Sequence, residues 1–177
     1  MRKLLFENLI RLPLTETAPS PSDAAMEELT AAIDESARRR LGRSLSIRAV
    51  DAGSCNGCEL EMHALSNAFY DIERFGIRFV ASPRHADVLL VTGPVTKNMR
   101  EALERTYNAT PAPKWVVALG GCACDGGCFA GSYAVIGGVS MAVPVDLHIP
   151  GCPPSPTDIL RGLLALLEHV NKGGRAP

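Results

Sequence analysis

The side chains in this sequence best suited to chemistry are cysteines set among glycines. The stretch Asp51-Ala-Gly-Ser-Cys-Asn-Gly-Cys-Glu-Leu-Glu61 holds Cys55 and Cys58 in a C-x-x-C knuckle. Cys122 lies in Leu119-Gly-Gly-Cys-Ala123, and Cys152 in Ile149-Pro-Gly-Cys-Pro-Pro154. Each stretch follows an apolar run that reads as a strand. Four thiolates can hold a zinc ion or an iron–sulfur cluster. Structural zinc usually uses two knuckles on a core-poor unit. Here there is one knuckle and two isolated cysteines on a chain with ample apolar residues. Ligands from separate loops, each beside glycine, suit a larger object whose sulfurs the backbone must approach closely. Spacing and context therefore favour one [4Fe–4S] cluster on Cys55, Cys58, Cys122 and Cys152 over a structural zinc scaffold. Cys124 and Cys128 are too few for a second cluster and read as ordinary loop thiols, with a redox-sensing or alternative-ligand role as the other option.

The elements that must position these loops alternate in type. After a helix over 24–41, strands are predicted at 46–51, 76–81, 87–92, 114–119 and 143–149. Helices are predicted at 59–70, 98–107 and 157–170, and a glycine-rich loop at 120–138. The 87–92 run is apolar throughout its centre, as a strand covered on both faces should be. Pro144 belongs at the start or edge of its strand. Alternation of this kind predicts an α/β fold, a flavodoxin-like doubly wound parallel sheet with a helical N-terminal arm. Residues 1–44 form the arm: an amphipathic segment at 1–12, a proline-rich linker, and the 24–41 helix. Residues 45–177 form the cluster-binding domain. In such sheets all strands end on one edge, where ligands bind. The topology alone would bring the four cysteines to that edge.

Composition narrows the function classes. The 177 residues are 46% hydrophobic and 21% charged, ordinary for one globular domain. Lys plus Arg number 18 against 19 Asp plus Glu, so charge gives no case for nucleic acid as partner. No run reaches the length of a membrane span, and the N-terminus does not read as a signal peptide. Without a signal for export, three disulfides are the weaker use of six cysteines. There is no P-loop, no nucleophile–base pair and no dinucleotide fingerprint, so no direct NAD binding is expected.

The motifs GSCNGCELE at 53–61, ERFGIRFVASPRHADVLLVTGPVT at 73–96, GGCACDGG at 120–127 and VPVDLHIPGCPPSP at 143–156 carry a family resemblance. From about 47 to 167 the chain resembles the cluster-bearing small subunit shared by membrane-associated [NiFe] hydrogenases and the 20 kDa subunit of complex I. Within that family it looks most like the formate hydrogenlyase-type, energy-converting hydrogenases. Complex I subunits carry two adjacent cysteines where this chain has Cys55-Asn-Gly-Cys58. A 20 kDa-type subunit of NADH:quinone oxidoreductase is the alternative.

The resemblance implies that Cys55, Cys58, Cys122 and Cys152 bind one proximal [4Fe–4S] cluster. It implies an oxidoreductase subunit with no complete active site of its own. The expected partners are a [NiFe] large subunit, a ferredoxin-like iron–sulfur subunit and membrane subunits, with the complex at the cytoplasmic face of the cell membrane. Glu61 stands where the family has a glutamate and is a candidate to orient cluster neighbours or relay a proton. Arg84 and His85, in a loop the family turns toward partners, are candidates for the cluster surroundings or an interface. His63 and His148 read as packing residues, and Trp115 as core or interface.

Overall fold

A computed structural model describes residues 23–171. The amphipathic segment and proline-rich linker of the expected arm lie outside these residues. Helix α1 is Asp23–Leu41, followed by β1, Leu45–Asp51, and α2, Gly57–Ala64. Then come β2 (Ile77–Phe79), β3 (Val88–Thr92), β4 (Val95–Thr96) and α3 (Lys97–Ala109). The chain continues with β5 (Trp115–Leu119), α4 (Gly121–Asp125), β6 (Val135–Gly137), β7 (Leu147–Ile149) and α5 (Pro156–Asn171).

Five strands form one parallel sheet in the order β2-β1-β3-β5-β7. This is the flavodoxin order, with the small antiparallel β4–β6 pair standing apart from it. Side chains alternate across the sheet, and both faces are covered. Leu90, Val117 and Leu119 face a core completed by Ile33 and Ala37 of α1, Met62 of α2, and Ile159, Leu163 and Leu167 of α5. Leu89, Val91, Val116 and Ala118 face the other core, with Leu103 of α3 and Ala123 of α4. Every residue of β3 and β5 is buried, which explains their unbroken apolar sequences.

The helix ends follow local chemistry. Ser155 and Asp158 form a reciprocal cap at the start of α5: the Asp158 N–H donates to Ser155 Oγ at 3.2 Å, and the Ser155 N–H to Asp158 Oδ2 at 3.3 Å. Lys114 Nζ caps the other end of α3, donating to the carbonyls of Tyr107 at 2.6 Å and Thr110 at 3.1 Å.

Three boundaries differ from the sequence expectation. Helix α2 begins at Gly57 and stops at Ala64 rather than running over 59–70. Asn67 stops its continuation: the side-chain oxygen accepts the N–H groups of Phe69 and Tyr70, a turn that competes with the helix. Strand β7 begins at Leu147, because a turn over Val139–Met141 and Pro144 occupy its expected first half. The 120–138 loop contains α4, a 3-10 turn and β6 rather than irregular chain.

Candidate metal centre

The loops after β1, β5 and β7 meet at the carboxyl edge of the sheet. Past the end of β1, Asp51 Oδ1 accepts the N–H groups of Gly53 at 2.8 Å and Ser54 at 2.7 Å. That turn throws the chain into the Cys55 loop. Asn56 is left-handed with φ 71°, and α2 starts at once, so Cys58 sits in its first turn. The β5 and β7 loops are joined by backbone. Gly120 N–H donates to the Ile149 carbonyl at 2.8 Å, and Gly121 N–H to the Gly151 carbonyl at 2.7 Å. These bonds hold Cys122 and Cys152, the next residues of each loop, side by side. The knuckle closes on the same place. A Cβ on Gly57 would lie 4.0 Å from Pro153, and one on Gly120 would lie 2.5 Å from Cys58 Sγ. Gly120 has φ +88°, so both its backbone and the neighbouring sulfur demand glycine.

The thiols sense one another. Burial, then the Glu59 charge, then Cys55, Cys122 and Cys152 push the Cys58 thiol up to about 11. The Cys122 thiol is raised by burial and by Cys128 and Cys152, while the backbone N–H of Cys128 bonds to its sulfur and works the other way. All six cysteines are free thiols. Among the described residues, no group of three or more His, Cys, Asp or Glu side chains converges closely enough to hold a single metal ion. Four neighbouring thiols, glycine backbone that leaves room, and an N–H aimed at a sulfur fit the donor needs of an iron–sulfur cluster.

The remaining candidates separate. Glu61 is half-buried on α2 and has no hydrogen bond or ion pair among the described residues. Arg84 and His85 are exposed on a short turn, and no side-chain hydrogen bond or ion pair among the described residues ties them to the cysteines. His63 and His148 are exposed rather than packed. His63 lines the mouth of a cavity beside α2, and His148 is on β7, an edge strand of the sheet. Trp115 is buried in the core as expected. Cys124 turns away from the site toward the Ala118 carbonyl, 4.0 Å away, and its thiol is raised by burial and by Asp125. Cys128 is exposed, and the preceding Gly127 packs against Cys122 Sγ, so Cys128 acts on the Cys122 thiol.

Sequence reasoning missed Glu59. Both its carboxylate oxygens are buried without a hydrogen-bond partner, and so is Arg48 Nε. They line a cavity of about 480 Å³ together with Asp51, Met62, His63 and Phe79. The cavity exists because β2 pairs only with Leu45–Ile47, leaving the edge of β1 beyond Ile47 open. Its position directly after Cys58 was the available signal for Glu59.

A doubly wound α/β domain with four thiols gathered at its carboxyl edge defines a redox-type or metal-type subunit class. The family model for the NADH ubiquinone oxidoreductase 20 kDa subunit matches residues 55–166. This chain belongs to that family of oxidoreductase-complex subunits. It is 44% identical over 152 residues to formate hydrogenlyase subunit 7 of Escherichia coli, covering 84% of this chain and 60% of that protein. The chain thus spans less than two thirds of that relative. It is 46% identical over 132 residues to a probable membrane-bound hydrogenase subunit of Pyrococcus furiosus, covering 75% of this chain and 79% of that one. Among solved structures, a chain of an archaeal membrane-bound sulfane sulfur reductase, a respiratory membrane complex, superposes with TM-score 0.66 at 37% identity. That match covers 81% of this chain and 77% of the other.

Proposed function

We propose that this chain is the electron-transfer small subunit of a membrane-associated [NiFe] hydrogenase complex, with one [4Fe–4S] cluster held by Cys55, Cys58, Cys122 and Cys152. The supporting observation is the meeting of the three loops, in which Cys58 feels the charges of Cys55, Cys122 and Cys152. Ligands drawn from three separate loops, each beside glycine, favour a cluster over the zinc scaffold. When bound, such a cluster accepts and passes one electron at a time. The chain's part is to hold the cluster, exclude water and set the charge around it. Glu59 places a carboxylate beside Cys58, which disfavours added electrons and lowers the potential. Arg84 and His85 are exposed, which fits contact with a partner better than contact with the cluster.

Partners are expected at the same edge. Leu60 is 62% exposed and Tyr133 89% exposed, and Phe129 and Met141 are exposed too. Leu60 follows the knuckle by two residues, and the other three lie on the segment between Cys128 and β7. Exposed large side chains close in sequence to the thiol-bearing loops suit burial by a nickel–iron large subunit and a ferredoxin-like subunit. Among the described residues no helix is long and apolar enough to cross a membrane. Attachment at the cytoplasmic face through other subunits is part of the proposal. The family description favours a second reading, a 20 kDa-type subunit of NADH:quinone oxidoreductase. The Cys55-Asn-Gly-Cys58 spacing weighs against it.

Anaerobic reconstitution with iron and sulfide, followed by iron, sulfide and zinc analysis, tests the cofactor. Roughly four irons and four sulfides per chain are expected. One zinc without sulfide would overturn the assignment. Co-purification of the native complex, with its subunits identified by mass, separates the two oxidoreductase readings.

A further inference from the structure

The ligand set has a fifth thiol against it. Cys128 is only six residues past Cys122, yet the chain doubles back to bring the two together. Gly126 and Gly127 both take positive φ, 97° and 51°, and Gly126 N–H donates to the Cys122 carbonyl at 2.9 Å. The fold-back is close: a Cβ on Gly127 would lie 2.8 Å from Cys122 Sγ and 3.1 Å from its Cα. The Cys128 thiol and its backbone N–H both act on the Cys122 thiol, the first raising it and the second lowering it, as neighbours across this fold-back. Cys128 is exposed, whereas Cys122 is half-buried. Cys124, between them in sequence, is turned toward the Ala118 carbonyl and takes no part.

We propose that, in the cluster-free chain, Cys128 and Cys122 form a disulfide on exposure to a peroxide, and that this bond withdraws Cys122 from the ligand set. The consequence for loading rests on the four-cysteine cluster reading; the disulfide itself does not. The exposed Cys128 thiolate attacks the peroxide O–O bond, giving a sulfenic acid and releasing one oxygen as water after protonation. The Cys122 sulfur then attacks the Cys128 sulfur. The S–S bond forms, the S–O bond breaks, and the leaving hydroxide takes the Cys122 proton as a second water. Two thiols have lost two electrons and two protons, and hydrogen peroxide has become two waters. A dithiol reductant reverses the step by exchange. While the bond stands, three ligands remain, and the vulnerable apo site is closed to iron but protected from deeper oxidation of Cys122.

The test uses the full chain, purified anaerobically without cluster and treated with one equivalent of hydrogen peroxide. The oxidised chain should be lighter by about 2 Da. Cleavage before Asp125 separates the two cysteines, so tandem mass spectrometry of the alkylated digest should find the 122 and 128 segments linked. A link between Cys55 and Cys58 instead, or complete alkylation of Cys128, would overturn the proposal. Iron and sulfide uptake is then compared before and after peroxide. Wild type should lose about tenfold or more of its uptake after peroxide and recover it with dithiothreitol. Cys128→Ser should keep most of its uptake under the same treatment, and equal loss in this variant would also sink the idea. Failure of the reduced, untreated wild type to take up iron would overturn the cluster reading and the loading consequence, while the mapping still decides the disulfide.

Discussion

Two buried carboxylates mark opposite ends of β1, and their surroundings differ completely. Asp87, level with the start of β1, has every acceptor occupied. Arg43 grips it twice, at 2.6 and 3.1 Å, and the Ser46 N–H donates at 2.9 Å. Glu59, beyond the end of β1, has both oxygens buried and none occupied. An unpartnered buried carboxylate costs stability that a paired one recovers. The amino edge is therefore finished within this chain. At the carboxyl edge the Glu59 oxygens and Arg48 Nε line one cavity, all buried and all without a partner.

The sharpest way to break this contrast is at the thiols. Cys58→Ser is expected to abolish cluster assembly, with iron content at least about tenfold below wild type. Electron paramagnetic resonance of the reduced protein reads the same loss. Next comes the finished edge. Asp87→Ala should destabilise the fold by about 2–4 kcal/mol, because it strips three donors of their acceptor. Urea denaturation measures this, and a loss under about 0.5 kcal/mol would remove the distinction between the two ends. At the unfinished edge, Glu59→Gln should stabilise the isolated chain slightly, because it removes a charge whose oxygens are buried without a partner. It should also raise the midpoint potential of a bound cluster, on the order of 50 mV, by removing a negative neighbour. A redox titration showing no shift would detach Glu59 from the site. Ser155→Ala, which removes half of the α5 cap just after Cys152, should cost about 1 kcal/mol in thermal or urea unfolding.

The smallest effect concerns Asp146, in the β5–β7 connection. Burial raises its carboxyl above the ordinary value, against the opposing hydrogen bond from Val116 N–H. A raised folded-state value means the stabilisation is present below the unfolded value of 3.8 and is lost as pH climbs through the folded one. Asp146→Asn should therefore gain on wild type in neutral buffer, and the gain should vanish as pH falls toward about 3. Denaturation curves across that range check the sign.

Much of this was legible in the sequence because the sheet centre is purely apolar. The β3 and β5 runs announce strands covered on both faces, and the C-x-x-C loop and Gly-Cys turns announce the edge. Strands β2 and β7 are shorter than the sequence predicts: β2 pairs only over Ile77–Phe79 although the apolar pattern runs on to Ala81, and the turn over Val139–Met141 and Pro144 displace the start of β7. Glu59 and Glu61 show a finer limit. Two residues apart on a helix, they differ by about 200° around the axis, so the helix start decides which one lines the cavity beside β1. That start is set by Asn56 in a left-handed conformation, which no spacing rule reveals. The Cys122–Cys128 contact was hidden for a related reason: it depends on two successive glycines with positive φ.

The pair of bonds from Gly120 and Gly121 to Ile149 and Gly151 carries a consequence for biosynthesis. Cys152 follows β7 and Cys122 is held by bonds to its loop, and β7 is the last of the five sheet strands in chain order among the described residues. A nascent chain that has laid down β1, β3 and β5 already owns most of its core but only an incomplete mouth. If the four-cysteine cluster is bound as proposed, its delivery waits until β7 has joined the sheet, because only then are Cys122 and Cys152 held side by side.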